Sequence, residues 1–399
     1  ETELYKCIII DFSHDVNAKN TKRLSMIDKS QNSLSVFSDS YETARAQFIS
    51  EANAAGAIIE SFKHPSAHCP DGAALFTDTA WLGPRHASNV MIMICGTHGP
   101  ESFTGAAIQL ACLKARKPLA SSTAILLIHA INPFGWAHCS RTTENNVDLN
   151  RNFIDHQRKP LETDLTKPVQ NLLRSSNASG PRFIKIILGL GKLLLSAGSS
   201  KLLNEISRGQ YNHADGIGFG GHSPEWSNCT LQKILHTHLK GTKRVTIIDW
   251  HTGIGDYGQP CFLCFDEVHT PEYNRALHVW GQGMEKSHTN YSSGERPDYQ
   301  GLLINAARDL AKAAGAQTTT CVIEFGTYSN LKMLKALLID RWLRIDAMTS
   351  RPALKEKMKE QVLRSFYPMD VQWRASVLDH GAKIVSDSLK ALDAWEEES

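Results

Sequence analysis

Short apolar runs alternate with amphipathic segments through the middle of the chain. Four of these runs are nearly continuous, as expected of strands covered on both faces: 89–94, 123–130, 245–250 and 318–325. Apolar residues at helical spacing predict helices between them, including Ser38 to Ala55 and Ser102 to Ala115. Strands that alternate with helices predict an α/β fold with a mixed, mostly parallel sheet flanked by helices.

Three other sections complete the predicted organisation. Residues 1–37 are polar in their later part and are predicted to form an N-terminal arm, ahead of a single domain over residues 38–399. Residues 155–210 have the pattern of a helical insertion, with apolar spacing at Ile184, Ile187, Leu188 and Leu195. Residues 331–399 form a helical C-terminal section, which prolines interrupt at 352 and 368.

Composition narrows the class of protein. Apolar residues make up 42% of the 399 positions and charged residues 21%, as in ordinary globular proteins. The net charge of +2, without a basic run, gives no reason to expect nucleic acid or a membrane as a partner. Nine cysteines, an odd number, favour a reducing compartment, so the expected location is cytoplasmic. The first residues lack a signal-peptide pattern, and a leader removed ahead of residue 1 stays an open alternative.

Two predicted strands end in candidate metal ligands. His98 and Glu101 follow the run that ends at Ile94, and His251 follows the run that ends at Trp250. Ligands gather beyond the carboxyl ends of strands in an open α/β sheet, so these side chains are expected to meet there. Imidazole and carboxylate are ordinary Zn²⁺ ligands. Asp249 is a candidate to orient a ligand histidine, although a residue two positions before His251 is equally able to face the other side.

The spacing His-x-x-Glu is a weak signal by itself. With 17 histidines in the chain, about one chance match is expected, and His222 to Glu225 supplies a second match. His64 and His68 flank a proline in a predicted loop, and we expect them to be surface or structural residues.

Polar residues in two other places are candidates for catalysis and binding. Glu324 lies in an otherwise apolar run, which indicates either a structural ion pair or a general base with a raised pKa. Arg141 is suited to stabilising an oxyanion, and Asn150 with Arg151 to binding a carboxylate. A simple ion pair between Asp148 and Arg151 is the structural alternative.

Together these residues resemble the zinc metallocarboxypeptidase superfamily. The chain is more closely similar to an uncharacterised, carboxypeptidase-like branch of it, known mainly as a domain of unknown function. The motifs that carry this resemblance lie between residues 37 and 345: Tyr41 to Phe48, Asp78 to Trp81, Gly96 to Gly99, Asn132 to Gly135, Val147 to Phe153, Gly220-Gly221 with Trp226 to Asn228, and Asp249 to Gly253.

The resemblance implies a single zinc-carboxypeptidase-like domain with one bound Zn²⁺. It implies roles for these residues: His98, Glu101 and His251 as metal ligands, Glu324 as general base, Arg141 as oxyanion stabiliser, and Asn150 and Arg151 as carboxylate-binding residues. Two positions depart from the pattern of the superfamily. Ser102 replaces the usual glycine, which is expected to alter the floor of the pocket. No motif identifies the substrate-capping tyrosine, for which Tyr299 is the candidate and Tyr257 and Tyr328 are rivals.

The implied function is carboxypeptidase-type hydrolysis of an amide bond next to a free carboxylate. The expected partner is therefore a peptide or a small amide that carries such a carboxylate. Two alternatives stay open. One is a small-molecule deacylase that acts on N-acyl amino acids or related amides and esters. The other is a zinc-containing module that binds peptides or cell-wall fragments without cleaving them.

Overall fold

The structure, a computed structural model, describes residues 34–174, 181–289, 297–347 and 350–395. The chain divides into two units, Glu1–Ser35 and Val36–Ser399, and the sheet and its helices belong to the second. Nearly all of the N-terminal arm predicted for residues 1–37 lies outside the described residues. Within the described ranges, no helix combines the length and the apolar character needed to cross a membrane.

A seven-stranded mixed sheet lies at the centre of the described residues. Its strands are β1 (Ile58–His68), β2 (Ala74–Leu82), β3 (Asn89–Cys95), β4 (Thr123–His129), β5 (Arg244–Tyr257), β6 (Pro260–Leu263) and β7 (Gln317–Gly326). Their spatial order is β1-β2-β4-β3-β5-β7-β6. Strands β4, β3, β5 and β7 run parallel, whereas β2 and β6 run against their neighbours. The predicted α/β fold with a mixed, mostly parallel sheet is confirmed.

Twelve α-helices occur in the described part of the chain. They are α1 (Tyr41–Ala54), α2 (Ser102–Ala115), α3 (Pro133–Ala137), α4 (Thr166–Arg174), α5 (Pro181–Ala197), α6 (Ser199–Ser207), α7 (Trp226–His238), α8 (Pro271–Thr289), α9 (Leu303–Ala313), α10 (Asn330–Ile345), α11 (Pro352–Phe366) and α12 (Val371–Asp393). The C-terminal section is thus helical, with the predicted interruptions.

The central strands are buried on both faces because helices cover both sides of the sheet. Every residue of β3 and of β4 is buried. Ile92 and Leu126 belong to a core cluster that includes Leu231 of α7 and Leu303 of α9. Helices α2 and α12 pack together and contact β3 and β5. Burial on both faces explains why these runs are almost continuously apolar instead of alternating.

The helical insertion packs as a second cluster beside the sheet. Helices α4, α5 and α6 bury apolar side chains against α10 and α11. The apolar spacing at Ile184, Leu188 and Leu195 does not mark the buried side of α5, because these three side chains are exposed. The residues of α5 that enter the cluster are Ile186 and Leu190. A helix that is apolar on most of its faces has no single period that identifies its buried side.

Two local predictions need correction. Helix α1 begins at Tyr41 and not at Ser38, and its N-cap is Ser40, whose hydroxyl accepts the Thr43 N–H. His64 lies within strand β1 and not in a loop, since the strand continues past Pro65. Its Nε2 is 3.0 Å from Glu144 Oε1, so His64 is a buried structural residue, as expected.

Candidate active site

The loop after β3 places His98 and Glu101 at the start of α2. Strand β3 ends at Cys95, and Gly99–Glu101 form a single 3-10 turn before the helix begins at Ser102. Gly99 permits this path, because a Cβ atom there would lie 2.0 Å from the Gly135 carbonyl oxygen. The Gly99 N–H also donates to the Ser140 carbonyl at 3.1 Å. The loop that carries His98 and Glu101 (the ligand loop) is therefore held against the segment around α3.

His98, Glu101 and His251 converge in a buried cluster. His98 Nδ1 lies 3.1 Å from Glu101 Oε1, and His251 Nδ1 lies 3.0 Å from Glu101 Oε2. One ligand atom from each of the three side chains falls within 4.8 Å of the others. His251 belongs to β5, next to β3, so the sheet brings together residues that are far apart in the sequence. The three side chains thus meet at the carboxyl ends of the strands, where the sequence predicted that they would.

A carboxylate holds the outer nitrogen of each histidine. His98 Nε2 donates to Asp148 Oδ1 at 2.9 Å, and His251 Nε2 donates to Asp249 Oδ2 at 2.8 Å. Asp249 also accepts the Thr97 hydroxyl at 3.0 Å. These contacts fix the protons on Nε2 and direct each Nδ1 lone pair into the cluster.

The donor set fits a divalent metal such as Zn²⁺. His98 Nδ1 is buried and makes no hydrogen bond with any residue that the structure describes. Two imidazoles and one carboxylate form a common three-ligand set of catalytic zinc sites. Burial raises the pKa of Glu101, but the neighbouring His98 ring and the Arg141 guanidinium outweigh this effect and lower it. A deprotonated carboxylate between two oriented imidazoles is the form that binds a metal.

Glu324 lies beside this cluster on the neighbouring strand. It is opposite His251 in the β5–β7 register, and its Oε2 accepts the Ile254 N–H at 3.3 Å. Burial, together with repulsion from Glu101, raises the pKa of Glu324 to about 7. A carboxyl group with this pKa is able to accept and return a proton near neutral pH.

Arg141 connects the cluster to the cleft. Its Nη1 donates to Glu101 Oε1 at 2.6 Å, and its Nε lies 3.6 Å from Asp148 Oδ2. The side chain is 21% exposed, whereas that of Glu101 is 3% exposed. The guanidinium therefore reaches the solvent-accessible side of the buried carboxylates.

Among the residues that the structure describes, backbone groups hold the side chains of Asn150 and Arg151. Asn150 Oδ1 accepts the Leu303 N–H at 2.9 Å. Arg151 donates to the Ser207 carbonyl from Nε at 3.0 Å and from Nη2 at 2.7 Å. The alternative in which Asp148 pairs with Arg151 is wrong, because Asp148 contacts His98 and Arg141 instead.

Tyr299 is the candidate tyrosine that lies at the cleft. The guanidinium carbon of Arg151 is 5.1 Å from the centre of its ring, and Phe265 packs against it edge-to-face. Tyr257 and Tyr328 contact each other, with ring centres 5.7 Å apart, and the residues that line the cleft include neither.

Seven of the eight predicted site residues line a cleft of about 220 Å³. The exception is Glu101, which lies between the two histidines. Much of the remaining lining is apolar: Ile206, Ile217, Ile254, Leu263, Phe265, Leu302, Val322, Met333, Leu337 and Phe366.

Residues 37–380 match the family model described as "Protein of unknown function (DUF2817)". The chain belongs to this family. The match confirms the resemblance to an uncharacterised family that the sequence motifs predicted. None of the curated proteins matches the chain in sequence.

Several solved structures are similar to this DUF2817 member at low identity. Carboxypeptidase A from Helicoverpa armigera is 14% identical, with a TM-score of 0.45 and coverage of 94% of this chain and 82% of its own. Murein-tripeptide amidase MpaA from Escherichia coli O157 is 16% identical, with a TM-score of 0.35 and coverage of 78% and 93%. A putative succinylglutamate desuccinylase/aspartoacylase from Shewanella frigidimarina is 16% identical, with a TM-score of 0.34 and coverage of 73% and 70%. These likenesses concern the course of the chain and not the chemistry of its site.

Ser102 of this DUF2817 chain does not lie at the floor of the pocket, where it was expected. Its side chain is buried, and its hydroxyl donates to the His98 carbonyl at 3.1 Å. The residues that line the cleft do not include Ser102. The serine therefore braces the ligand loop and does not form the pocket floor.

Sequence reasoning missed two contributors to the site. Asp148 was considered only as a partner of Arg151, yet it orients His98. Its place in the motif Val147 to Phe153 was the available signal, but the motif does not say which side chain turns inward. Ser207 was missed because it acts through its carbonyl, which no side-chain pattern reports.

Proposed function

We propose that this DUF2817 protein is a zinc-dependent hydrolase that cleaves an amide bond next to a free carboxylate. The observation that carries the proposal is the convergence of an oriented His–Glu–His set with Glu324, whose pKa is raised to about 7, in one cleft. Zinc held by His98, Glu101 and His251 would activate water and polarise the carbonyl of the substrate.

Glu324 is the proposed proton carrier. Its carboxylate accepts a proton from the attacking water and returns this proton to the departing amine. The Ile254 N–H holds Oε2, so the other oxygen is the one proposed to face the water. A pKa near 7 suits both steps, since the group must give up the proton that it has accepted.

Arg141 is the proposed stabiliser of the oxyanion. Its Nη1 and Nε face Glu101 and Asp148, and we assign Nη2 to the negative charge that develops on the carbonyl oxygen. A donor fixed in advance by two carboxylates needs little reorganisation as the charge develops, and one such donor typically contributes about 3–4 kcal/mol.

Asn150 and Arg151 are the proposed binding group for the carboxylate of the substrate. The Ser207 carbonyl and the ring of Tyr299 fix the plane of the Arg151 guanidinium. A fixed plane favours paired hydrogen bonds to a carboxylate. The apolar lining at Ile217 and Met333 supports a substrate with an apolar side chain next to that carboxylate.

The test is product analysis by mass spectrometry on a mixed pool of peptides and N-acyl amino acids. Wild type should remove apolar C-terminal residues from peptides, whereas Glu324→Gln should lose about 10²–10⁴-fold in kcat. Zinc content, measured by elemental analysis, should be equal in both proteins. Cleavage of the small acyl compounds alone would make the protein a deacylase. Equal turnover by the two proteins would exclude the role of Glu324, and zinc binding without any cleavage would favour a binding module.

A further inference from the structure

Helix α5 carries an apolar stripe on its outer face. Ile184 is 60% exposed, Leu188 62% and Leu195 83%, although Ile186 and Leu190 on the inner face are buried. At 100° per residue the three exposed side chains lie within about 40° of one another. From Ile184 to Leu195, eleven residue steps along the helix, the stripe is about 16 Å long. Exposed apolar side chains that line up on one face of a helix make this face a candidate interaction surface.

Lysines border the stripe on one side. Lys185 and Lys192 are exposed and lie about 40–100° around the helix from the apolar residues. No Asp or Glu occurs between residues 165 and 204, although acidic residues make up 41 of the 399 positions in the chain. The same interval holds six basic residues: Lys167, Arg174, Arg182, Lys185, Lys192 and Lys201. The net charge of the whole chain, +2, hides this local excess.

We propose that the outer face of α5 docks onto an anionic lipid surface, with the stripe entering the headgroup layer and the lysines contacting acidic headgroups. Apolar side chains bordered by lysines are the pattern of a helix that lies in a membrane interface. Acidic headgroups attract basic residues within a Debye length of the surface. The association is peripheral and leaves the packing of Ile186 and Leu190 unchanged.

A second copy of the chain fits this face less well. A stripe about 16 Å long and one helix wide, about 10 Å, covers on the order of 200 Å², whereas a stable interface needs about 800 Å² per partner. Isologous pairing would also bring Lys185 and Lys192 of both copies together, and like charges in an interface disfavour association.

Gly191 offers a matched pair of probes inside the stripe. It lies between Leu188 and Leu195 on the same face, and a Cβ atom there would meet nothing within 4 Å. Gly191→Glu and Gly191→Lys therefore change the sign of the added charge without a clash. Neither Gly191 nor the apolar stripe belongs to the candidate active site, so peptide cleavage should be the same in both variants.

The experiment is flotation of the full-length protein with phosphatidylcholine vesicles, with and without phosphatidylserine. Wild type and Gly191→Lys should float only with the vesicles that contain phosphatidylserine, and added salt should reduce this binding. Gly191→Glu and the double variant Leu188→Ser/Leu195→Ser should each lose on the order of tenfold in partitioning.

Absence of flotation by wild type, or equal flotation by all variants, would overturn the proposal. Sedimentation of the vesicle-free protein tests the second-copy alternative. Self-association by wild type that Gly191→Glu abolishes, without vesicle binding, would assign the stripe to a dimer instead. The readout is binding alone, so it does not depend on the proposed hydrolase activity.

Discussion

The chemistry of the candidate site depends on residues that hydrogen-bond to the candidate metal ligands. Asp148 and Asp249 each accept a hydrogen bond from the Nε2–H of a histidine, and Asp249 also accepts one from the Thr97 hydroxyl. A histidine that is free to rotate or to change tautomer presents its Nδ1 lone pair only part of the time. The two aspartates therefore set how well the buried cluster retains a metal.

Replacement of Asp249 should weaken metal binding without removing a ligand. Asp249→Ala is expected to lower zinc affinity by about 10–100-fold, measured by competition with a chromophoric chelator. Asp249→Asn, which keeps an acceptor for His251 Nε2, should fall between the alanine variant and wild type. Thr97→Val is the control, since it leaves the aspartate in place, and a loss equal to that of Asp249→Ala would contradict the orienting role.

The grouping of the candidate ligands could be predicted from the sequence because they lie at the ends of recognisable apolar runs. His98 and Glu101 lie between the end of β3 and the start of α2, and His251 directly follows the apolar run within β5. Glu324 was identifiable because a carboxylate is rare in a buried run. Asp148 was not, because its segment is irregular and its partner lies 50 positions away in the sequence. Which side chain turns inward from such a segment is decided by tertiary packing.

Among the elements, the helical insertion does more than cover the sheet. Helix α6 ends at Ser207, whose carbonyl accepts two hydrogen bonds from Arg151. Gly209, with φ of +96°, then turns the chain directly beside that arginine. A Cβ atom at Gly209 would lie 2.6 Å from Arg151 Cδ. The insertion thus sets the position of a residue proposed to bind substrate.

Gly209→Ala should impair substrate binding through Arg151. The added methyl group displaces the guanidinium, so KM should rise by about tenfold, as expected for a weakened charge-assisted hydrogen bond, while zinc content stays unchanged. The measurement is steady-state kinetics on the best peptide substrate from the pool. Gly198→Ala is a matched control, because Gly198 has φ of +87° but a Cβ atom there meets nothing within 4 Å.

Both variants place an alanine at a positive φ, which strains the backbone by about 1–3 kcal/mol. A rise in KM in Gly209→Ala alone therefore reports the contact with Arg151. Equal kinetics in the two variants would contradict a positioning role for the insertion.

Element boundaries were predictable where the ends carry chemical signals and not elsewhere. Helix α9 was not predicted, although Leu303, Ile304, Ala307 and Ala311 have helical spacing and are buried. Its N-cap is Leu302, which offers no side-chain oxygen to the first N–H groups. A helix without a capping residue, stabilised by packing on β7 and α7, gives little local indication of where it begins.

For the whole molecule, the arrangement of the sheet makes the candidate metal centre a property of the folded chain. Glu101 and His251 are 150 residues apart in the sequence and 3.0 Å apart in the structure. The parallel order β3-β5-β7 is what brings them together beside Glu324. The unfolded chain holds no such set, so a metal that binds the native cluster should stabilise the fold.

Chelation should therefore lower the melting temperature as well as remove activity. A metal present at a hundred times its dissociation constant stabilises the native state by about 2.7 kcal/mol, which corresponds to a shift of a few degrees in a chain of this length. Differential scanning calorimetry, with zinc removed and then restored, measures this shift. His251→Asn should show little dependence on zinc, and the same zinc-dependent shift in that variant would place the metal elsewhere.

The order of the strands in the sequence also determines when the candidate metal centre is able to form during protein synthesis. Strand β3 leaves the ribosome long before β5, and β7 follows only near residue 326. Because domains fold largely as units during synthesis, the parallel β3–β5 and β5–β7 pairings await most of the chain. Pairings between such distant segments form slowly. Metal binding by the proposed ligands would therefore come late in maturation, and nascent chains that stop short of β5 should not compete for cellular zinc through this set of ligands.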